Sequence, residues 1–137
     1  MSLEAATRAA VMGYLDALNG GDPDEIVNWV TDDFFNEHTS LRGTSLRGRA
    51  AYRQRLPAFL GEFRQLRYEV EALLVDGHEA AVAYRMTFSW GGPPGGPVPV
   101  AVRGMFRFEV ADGLVAHRAD YWDSASFDAQ VAAGREA

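Results

Sequence analysis

The segment LVAHRADYWD, residues 114–123, places a carboxylate where it could carry a proton. If the segment is a strand, its side chains alternate, so Arg118, Asp120 and Trp122 share one side. A carboxylate held against an indole and away from water has a raised pKa, which suits general acid–base chemistry near neutral pH. The alternative is that Asp120 only forms a structural ion pair with Arg118 or another arginine.

Two further residues could complete such a site. His38 follows the second predicted helix, and Tyr14 lies on the inward stripe of the first. Taken singly, a lone histidine is usually structural or exposed, and a core tyrosine usually finds one hydrogen-bond partner for its hydroxyl. If both side chains converge with Asp120 on one cavity, His38 is a second proton carrier and Tyr14 a hydrogen-bond donor. His117 has the opposite strand parity to Asp120, so we expect it to point away from the site.

Composition excludes several other chemistries. The chain has no cysteine, and all 13 of its basic residues are arginine, which excludes lysine Schiff bases, cysteine nucleophiles and disulfides. The three histidines form no HExxH motif or close ligand pair, so we expect neither a metal nor a cofactor. A net charge of −6 argues against binding to nucleic acids and anionic membranes. No targeting segment is visible, and we expect a cytoplasmic protein.

The elements that must position these residues are three helices followed by strands. Apolar residues at helical spacing predict a first helix over about 2–18. Asp22 and Pro23 then form a helix-start signal for a second helix over about 23–31. After a short extended piece and a loop at 42–47, a third helix is predicted over 48–61, where Pro57 should kink or shorten it.

From residue 65 onward apolar and polar residues alternate, and this period of two predicts four hairpin-linked strands. Turns are predicted at the two Asp-Gly pairs, and the GGPPGGP segment at 91–97 is predicted to be a flexible connection. This order predicts one α+β domain over residues 1–137, with three N-terminal helices packed in a curved, mainly antiparallel sheet. The inward strand faces predict a hydrophobic pocket whose substrate-binding residues are Tyr84, Met86, Phe88, Phe106, Arg118 and Trp122.

Four segments together carry a family resemblance: VMGYLDALNGGDPDEIVNWVTDDFFNEH, GRAAY, EAAVAYRMTFSW and GMFRFEVADGLVAHRADYWDS. They resemble the nuclear transport factor 2-like superfamily, which includes ketosteroid isomerases, limonene-epoxide hydrolases and SnoaL-like polyketide cyclases. The resemblance covers nearly the whole chain and implies a cone-shaped fold around a cavity. It does not by itself imply one reaction, because each branch mounts different groups in that cavity.

The three branches match different residues. Similarity to the ketosteroid isomerases puts Tyr14 on their oxyanion-hole tyrosine, His38 on their general base and Gly104 on their protonated aspartate. Similarity to the epoxide hydrolases puts Asp120 on a catalytic aspartate, but the strand around Arg85 lacks the second acid of their Arg-x-Asp pair. The SnoaL-like cyclases rely mainly on one acid–base aspartate near the last strand, which Asp120 matches, and this branch fits best.

We therefore expect a cofactor-free acid–base enzyme that isomerises or cyclises a hydrophobic, carbonyl-containing small molecule. Asp120, His38 and Tyr14 are its predicted catalytic residues, with the choice of base between Asp120 and His38 left open. The first alternative is a non-catalytic ligand-binding or dimerisation domain, and the second, less favoured alternative is an epoxide hydrolase. Because apolar side chains on the outer face of a curved sheet usually need cover, and relatives commonly pair there, we also expect a homodimer.

Overall fold

A computed structural model describes residues 2–40, 43–91 and 96–136 of the chain. It contains four helices, which are α1 (Leu3–Gly20), α2 (Pro23–Val27), α3 (Arg49–Glu62) and α4 (Ser124–Glu136). Its six strands are β1 (Val30–His38), β2 (Leu46–Arg47), β3 (Phe63–Asp76), β4 (Glu79–Trp90), β5 (Val98–Ala111) and β6 (Leu114–Trp122). The start of the predicted 42–47 loop and the centre of the GGPPGGP connection lie outside the described residues.

The strands form one sheet in the order β2-β1-β6-β5-β4-β3. All neighbouring strands are antiparallel except β1 and β6, which run parallel and bring His38 opposite Asp120. The predicted α+β class and the curved, mainly antiparallel sheet are confirmed. The parallel pair matters for the site because it joins a segment from the helical half of the chain to the last strand.

The helix boundaries follow from local capping and from burial. The Ser2 side chain accepts a hydrogen bond from the Ala5 amide at 3.1 Å and begins α1, and Gly21 ends it with a φ of 73°. Helix α2 is shorter than predicted because the chain is already extended at Val30, which is fully buried as the first residue of β1. Helix α3 continues past Pro57 to Glu62, so the proline does not shorten it.

The C-terminal helix α4 was not predicted from the sequence. Only Phe127 and Val131 are buried along it, so its apolar stripe is too sparse to stand out. Its Gln130 side chain accepts from the Ala101 amide at 2.9 Å and donates to the Ala101 carbonyl at 2.8 Å. The helix thereby satisfies backbone groups of β5 beyond the point where β6 ends.

The concave face of the sheet holds the core. Alternate residues of β4 and β5 are buried there, as the strand parity predicted. On β6 the same inward face carries Arg118 and Asp120, which are both 5% exposed. The fold therefore buries two ionisable side chains inside a mainly aliphatic and aromatic core.

Candidate active site

A cavity of about 400 Å³ opens between α3 and the concave face of the sheet. Its apolar wall includes Leu56, Phe59, Phe63, Met86, Phe88 and Trp122. Its polar wall includes Asn36, His38, Tyr52, Arg55, Glu62, Tyr68, Arg118 and Asp120. An apolar pocket with a few convergent polar groups is the arrangement expected of a small-molecule site.

Asp120 is the buried carboxylate of this cavity. Its Oδ1 accepts a hydrogen bond from the Tyr84 hydroxyl at 2.6 Å, and its Oδ2 lies 3.9 Å from Nδ1 of His38. Burial raises the pKa of Asp120 to about 6, although the Arg118 charge and the Tyr84 hydrogen bond both act to lower it. The carboxylate can therefore gain and lose a proton near neutral pH.

His38 faces Asp120 from β1, but its pKa is shifted in the opposite direction. Burial, together with the positive charges of Arg118 and Arg55, lowers the pKa of His38 to about 3. Gly43 packs directly over the imidazole, since a Cβ at that position would collide with the ring. The Nδ1–Oδ2 separation exceeds hydrogen-bond length. His38 is therefore a neutral imidazole beside the carboxylate rather than its ion-pair partner.

Arg118 lies on the same strand face and is held by neutral groups. It donates from one terminal nitrogen to the Tyr14 hydroxyl at 2.8 Å and from the other to Oδ1 of Asn36 at 2.6 Å. The guanidinium carbon lies 5.1 Å from the centroid of the Phe106 ring. No arginine within the described ranges lies at ion-pair distance from Asp120, and Arg118 in particular bonds to neutral groups instead.

Tyr14 occupies the layer behind the cavity wall. Its hydroxyl lies 2.6 Å from the Tyr52 hydroxyl and accepts from Arg118, and the side chain is fully buried. Burial raises the pKa of Tyr14 above the ordinary value. Tyr14 was predicted to donate a hydrogen bond to substrate, but in this geometry Tyr52 and Arg118 stand between it and the cavity.

Four of the six predicted substrate-binding residues line the cavity, namely Met86, Phe88, Arg118 and Trp122. The other two lie beneath it. Tyr84 holds Asp120, and Phe106 supports the Arg118 guanidinium. The ketosteroid isomerases have a protonated aspartate at the position of Gly104 in β5. This chain has no room for a side chain there, because a Cβ would lie 2.5 Å from the Tyr84 hydroxyl oxygen. Tyr84 thus fills the space that a side chain at position 104 would need.

Asn36 and Tyr52 line the cavity but were not predicted from the sequence as site residues. Asn36 has the same strand parity as His38, so alternation along β1 could have identified it. Tyr52 lies on the buried face of α3 and looks like an ordinary core aromatic in sequence. Only the fold brings its hydroxyl next to that of Tyr14, which comes 38 residues earlier in the chain.

Within the residues that the structure covers, no group of three or more histidine, aspartate or glutamate side chains could hold a metal ion. No helix among them is long and apolar enough to cross a membrane.

Comparisons with known proteins place this geometry in context. The family model of the SnoaL-like domain matches residues 11–118. No curated protein matches the chain in sequence. The fold is similar to a protein assigned as a SnoaL-like polyketide cyclase of Shewanella denitrificans OS-217, with a TM-score of 0.84 and 14% identity over 93% of this chain and 97% of that one.

Two further structures come from the other branches. An LEH-like epoxide hydrolase of M. tuberculosis aligns with a TM-score of 0.80 and 21% identity, over 96% of this chain and 92% of that one. A protein assigned as a ketosteroid isomerase of Kribbella flavida DSM 17836 aligns with a TM-score of 0.67 and 28% identity, over 90% of this chain and 82% of that one. These similarities establish a fold that several chemistries share.

Proposed function

Since the chain belongs to the SnoaL-like domain family, we propose that it is a cofactor-free acid–base enzyme acting on a hydrophobic, carbonyl-containing small molecule. The reaction is an isomerisation or an aldol-type cyclisation. The observation that carries this proposal is the placement of Asp120, a buried carboxylate with a pKa of about 6, on the wall of an apolar cavity. A base with a pKa near the working pH is the best compromise between basicity and availability.

Asp120 is the base in this mechanism, and His38 is not. The pKa of His38 is lowered to about 3, so its imidazole is a weaker base than the Asp120 carboxylate in this cavity. The carboxylate removes a proton from the carbon beside the substrate carbonyl, and the C–H electron pair forms an enolate. The protonated Asp120 then returns the proton, either to another carbon in an isomerisation or to the alkoxide formed by an aldol attack.

The enolate oxygen needs a donor or a positive charge close by. Arg118 and Tyr52 line the cavity and replace Tyr14 in this role. Tyr14 and Asn36 act as positioning residues, because each holds one terminal nitrogen of Arg118. The aromatic wall of Phe63, Phe88 and Trp122 excludes water and orients the substrate.

The test is deuterium exchange at the carbon next to a ketone, followed by NMR with β-tetralone as the probe. We expect Asp120→Asn to lower the exchange rate by at least ~100-fold, because the amide cannot accept the proton. Asp112→Asn is the matched control, since it makes the same change in a surface turn at the far end of β5. Exchange within a few-fold of wild type in Asp120→Asn, or no enzyme-dependent exchange at all, contradicts the proposal.

The second candidate is binding of a small ligand without catalysis. It is favoured by the same cavity together with the absence of a carboxylate at Gly104 and on β4 near Arg85. This candidate predicts a bound apolar ligand that is recovered unchanged, with no deuterium incorporation. Hydrolysis of styrene oxide would instead support the epoxide-hydrolase alternative, and we expect none that depends on Asp120.

A further inference from the structure

Arg118 is a buried cation without an anionic partner. The side chain is 5% exposed, and its terminal nitrogens donate hydrogen bonds to a tyrosine hydroxyl and an asparagine carbonyl oxygen. None of the carboxylates in the described part of the chain forms an ion pair with it. Its Nε has no hydrogen-bond partner among the residues that the structure describes. A buried cation whose direct contacts are all to neutral groups is poorly compensated, so its retention on a cavity wall calls for an explanation.

Asp120 does not supply that compensation at close range. Its Oδ1 accepts a hydrogen bond from the Tyr84 hydroxyl, and its Oδ2 lies 3.9 Å from Nδ1 of the neutral His38. When Asp120 holds a proton, the buried part of the site carries the full positive charge of Arg118. Burial acts to lower the pKa of Arg118, but its interactions with Tyr14, Tyr52 and Asp120 leave that pKa above the ordinary value. The cation therefore persists at every working pH.

We infer that the cavity recognises a carboxylate-bearing ligand, whose negative charge pairs with the Arg118 guanidinium while its apolar body lies against Phe63, Phe88 and Trp122. This inference rests on the proposed function and narrows its substrate class to hydrophobic carbonyl compounds that are also acids. A cavity of about 400 Å³ is near the lower end for ligand sites, which suits a molecule of one or two fused rings. The planar guanidinium matches a carboxylate better than it matches a neutral carbonyl.

Binding of such an anion is linked to the protonation of Asp120. Four tyrosines lie on the cavity wall or directly behind it, namely Tyr14, Tyr52, Tyr68 and Tyr84. Burial raises the pKa of each hydroxyl, so all four stay neutral. Among the residues that the structure describes, the other titratable or charged groups facing Arg118 across the cavity are His38 of β1, Arg55 and Glu62 of α3, and Asp120 of β6.

The pKa of Asp120 is raised to about 6, so the charge of its carboxyl changes near neutral pH. An ionised Asp120 repels the ligand carboxylate and competes for the field of Arg118. Binding of the anion therefore becomes tighter as the pH falls through about 6, and binding at neutral pH takes up a proton.

The test compares β-naphthoate with β-naphthamide, which have the same rings but differ in charge. Binding to the wild-type protein is measured by calorimetry at about pH 5.5 and 7.5. We expect the acid to bind at least ~10-fold more tightly than the amide at the lower pH, with a smaller preference at the higher pH. Equal binding of the two compounds at both pH values overturns the inference.

Variants locate the anion. Arg118→Met keeps a similar volume without the charge, a change that buried ion sites often tolerate, and it should abolish the preference for the acid. Arg103→Met is the matched control, because Arg103 is exposed and pairs with Glu71 away from the cavity. Loss of the preference in Arg55→Met but not in Arg118→Met overturns the assignment to Arg118.

Asp120→Asn provides a second test that does not require Arg118→Met to fold. It should retain the preference for naphthoate and lose its dependence on pH, whereas an unchanged pH dependence contradicts the linkage. Naphthoate has no proton next to a ketone and cannot react, so this binding result is independent of proton exchange. A protein that prefers naphthoate but exchanges no β-tetralone protons would refute the proposed function and leave the anion site standing.

Discussion

At the scale of single residues, burial reverses the usual order of basicity between an aspartate and a histidine. Desolvation disfavours the charged form of each group, which raises the pKa of Asp120 and lowers that of His38. The positive charge of Arg118 lowers both values, but it opposes the shift of Asp120 and adds to that of His38. These opposite shifts favour Asp120 over His38 as the proton carrier of the mechanism that we propose.

This reversal predicts the pH profile of proton exchange. The exchange rate of β-tetralone at low substrate concentration should rise through an apparent pKa of about 6, as Asp120 loses its proton and becomes the base. The rate should approach a plateau above about pH 7. The profile is measured as kcat/KM, which reports ionisations of the free enzyme.

The matched variant for this profile is His38→Gln, which removes the imidazole and keeps a neutral hydrogen-bonding side chain. We expect its inflection to remain near 6, even if the rate falls, because His38 does not set the pKa of Asp120. Loss of the inflection in His38→Gln, with the inflection kept in Asp120→Asn, would make the histidine the base.

At the scale of elements, the long strands could be predicted and the short or sparse elements could not. Alternation along β4 and β5 identified the inward face, because every second side chain must enter the core, whereas both sides of β6 mix apolar and charged residues and its pattern did not decide the face. Strand β2 has only two residues, and α4 has only two buried ones, so neither leaves a periodic pattern. The pairing of β1 with β6 brings together segments that are far apart in the chain, so the local sequence pattern of either strand carries no information about its register.

In the site too, the sequence pattern predicted which side of an element a residue lies on but not which residues meet. Parity placed Arg118, Asp120 and Trp122 on one side, and these three residues do line the cavity. Tyr14 was placed on the inward stripe correctly, but being inward does not tell whether a hydroxyl reaches the cavity or stops behind it. The Tyr14–Tyr52 contact joins two helices and depends on how α3 packs over the sheet.

Helix α4 yields a prediction at the scale of elements. Gln130 satisfies both backbone groups of Ala101, so Gln130→Ala should lower the free energy of unfolding by about 1–2 kcal/mol. Urea denaturation followed by circular dichroism measures the change. The control is Gln54→Ala, which removes an exposed amide from α3 and should change stability by less than about 0.5 kcal/mol. Equal effects of the two substitutions would show that the Gln130 hydrogen bonds contribute nothing.

For the molecule as a whole, the outer face of the sheet exposes large apolar side chains to solvent. Met105 of β5 and Tyr121 of β6 are paired in register and are 45% and 44% exposed. They lie on the side opposite to Asp120, so they take no part in the cavity. Apolar residues that adjoin each other on an exposed sheet face favour association, because burying them removes apolar surface from water.

We therefore expect a homodimer that pairs through this outer face, since most soluble oligomers are symmetric and bury the same surface on both subunits. Light scattering coupled to size-exclusion chromatography should give twice the chain mass of 15.0 kDa. Met105→Glu combined with Tyr121→Glu places four carboxylates in the interface of a symmetric pair, so we expect a monomer. Leu3→Glu is the matched control, because Leu3 is an exposed apolar residue of α1 that lies away from this face, and it should stay dimeric. A wild-type protein that is monomeric at every concentration refutes the dimer, and a double variant that remains dimeric refutes this choice of interface.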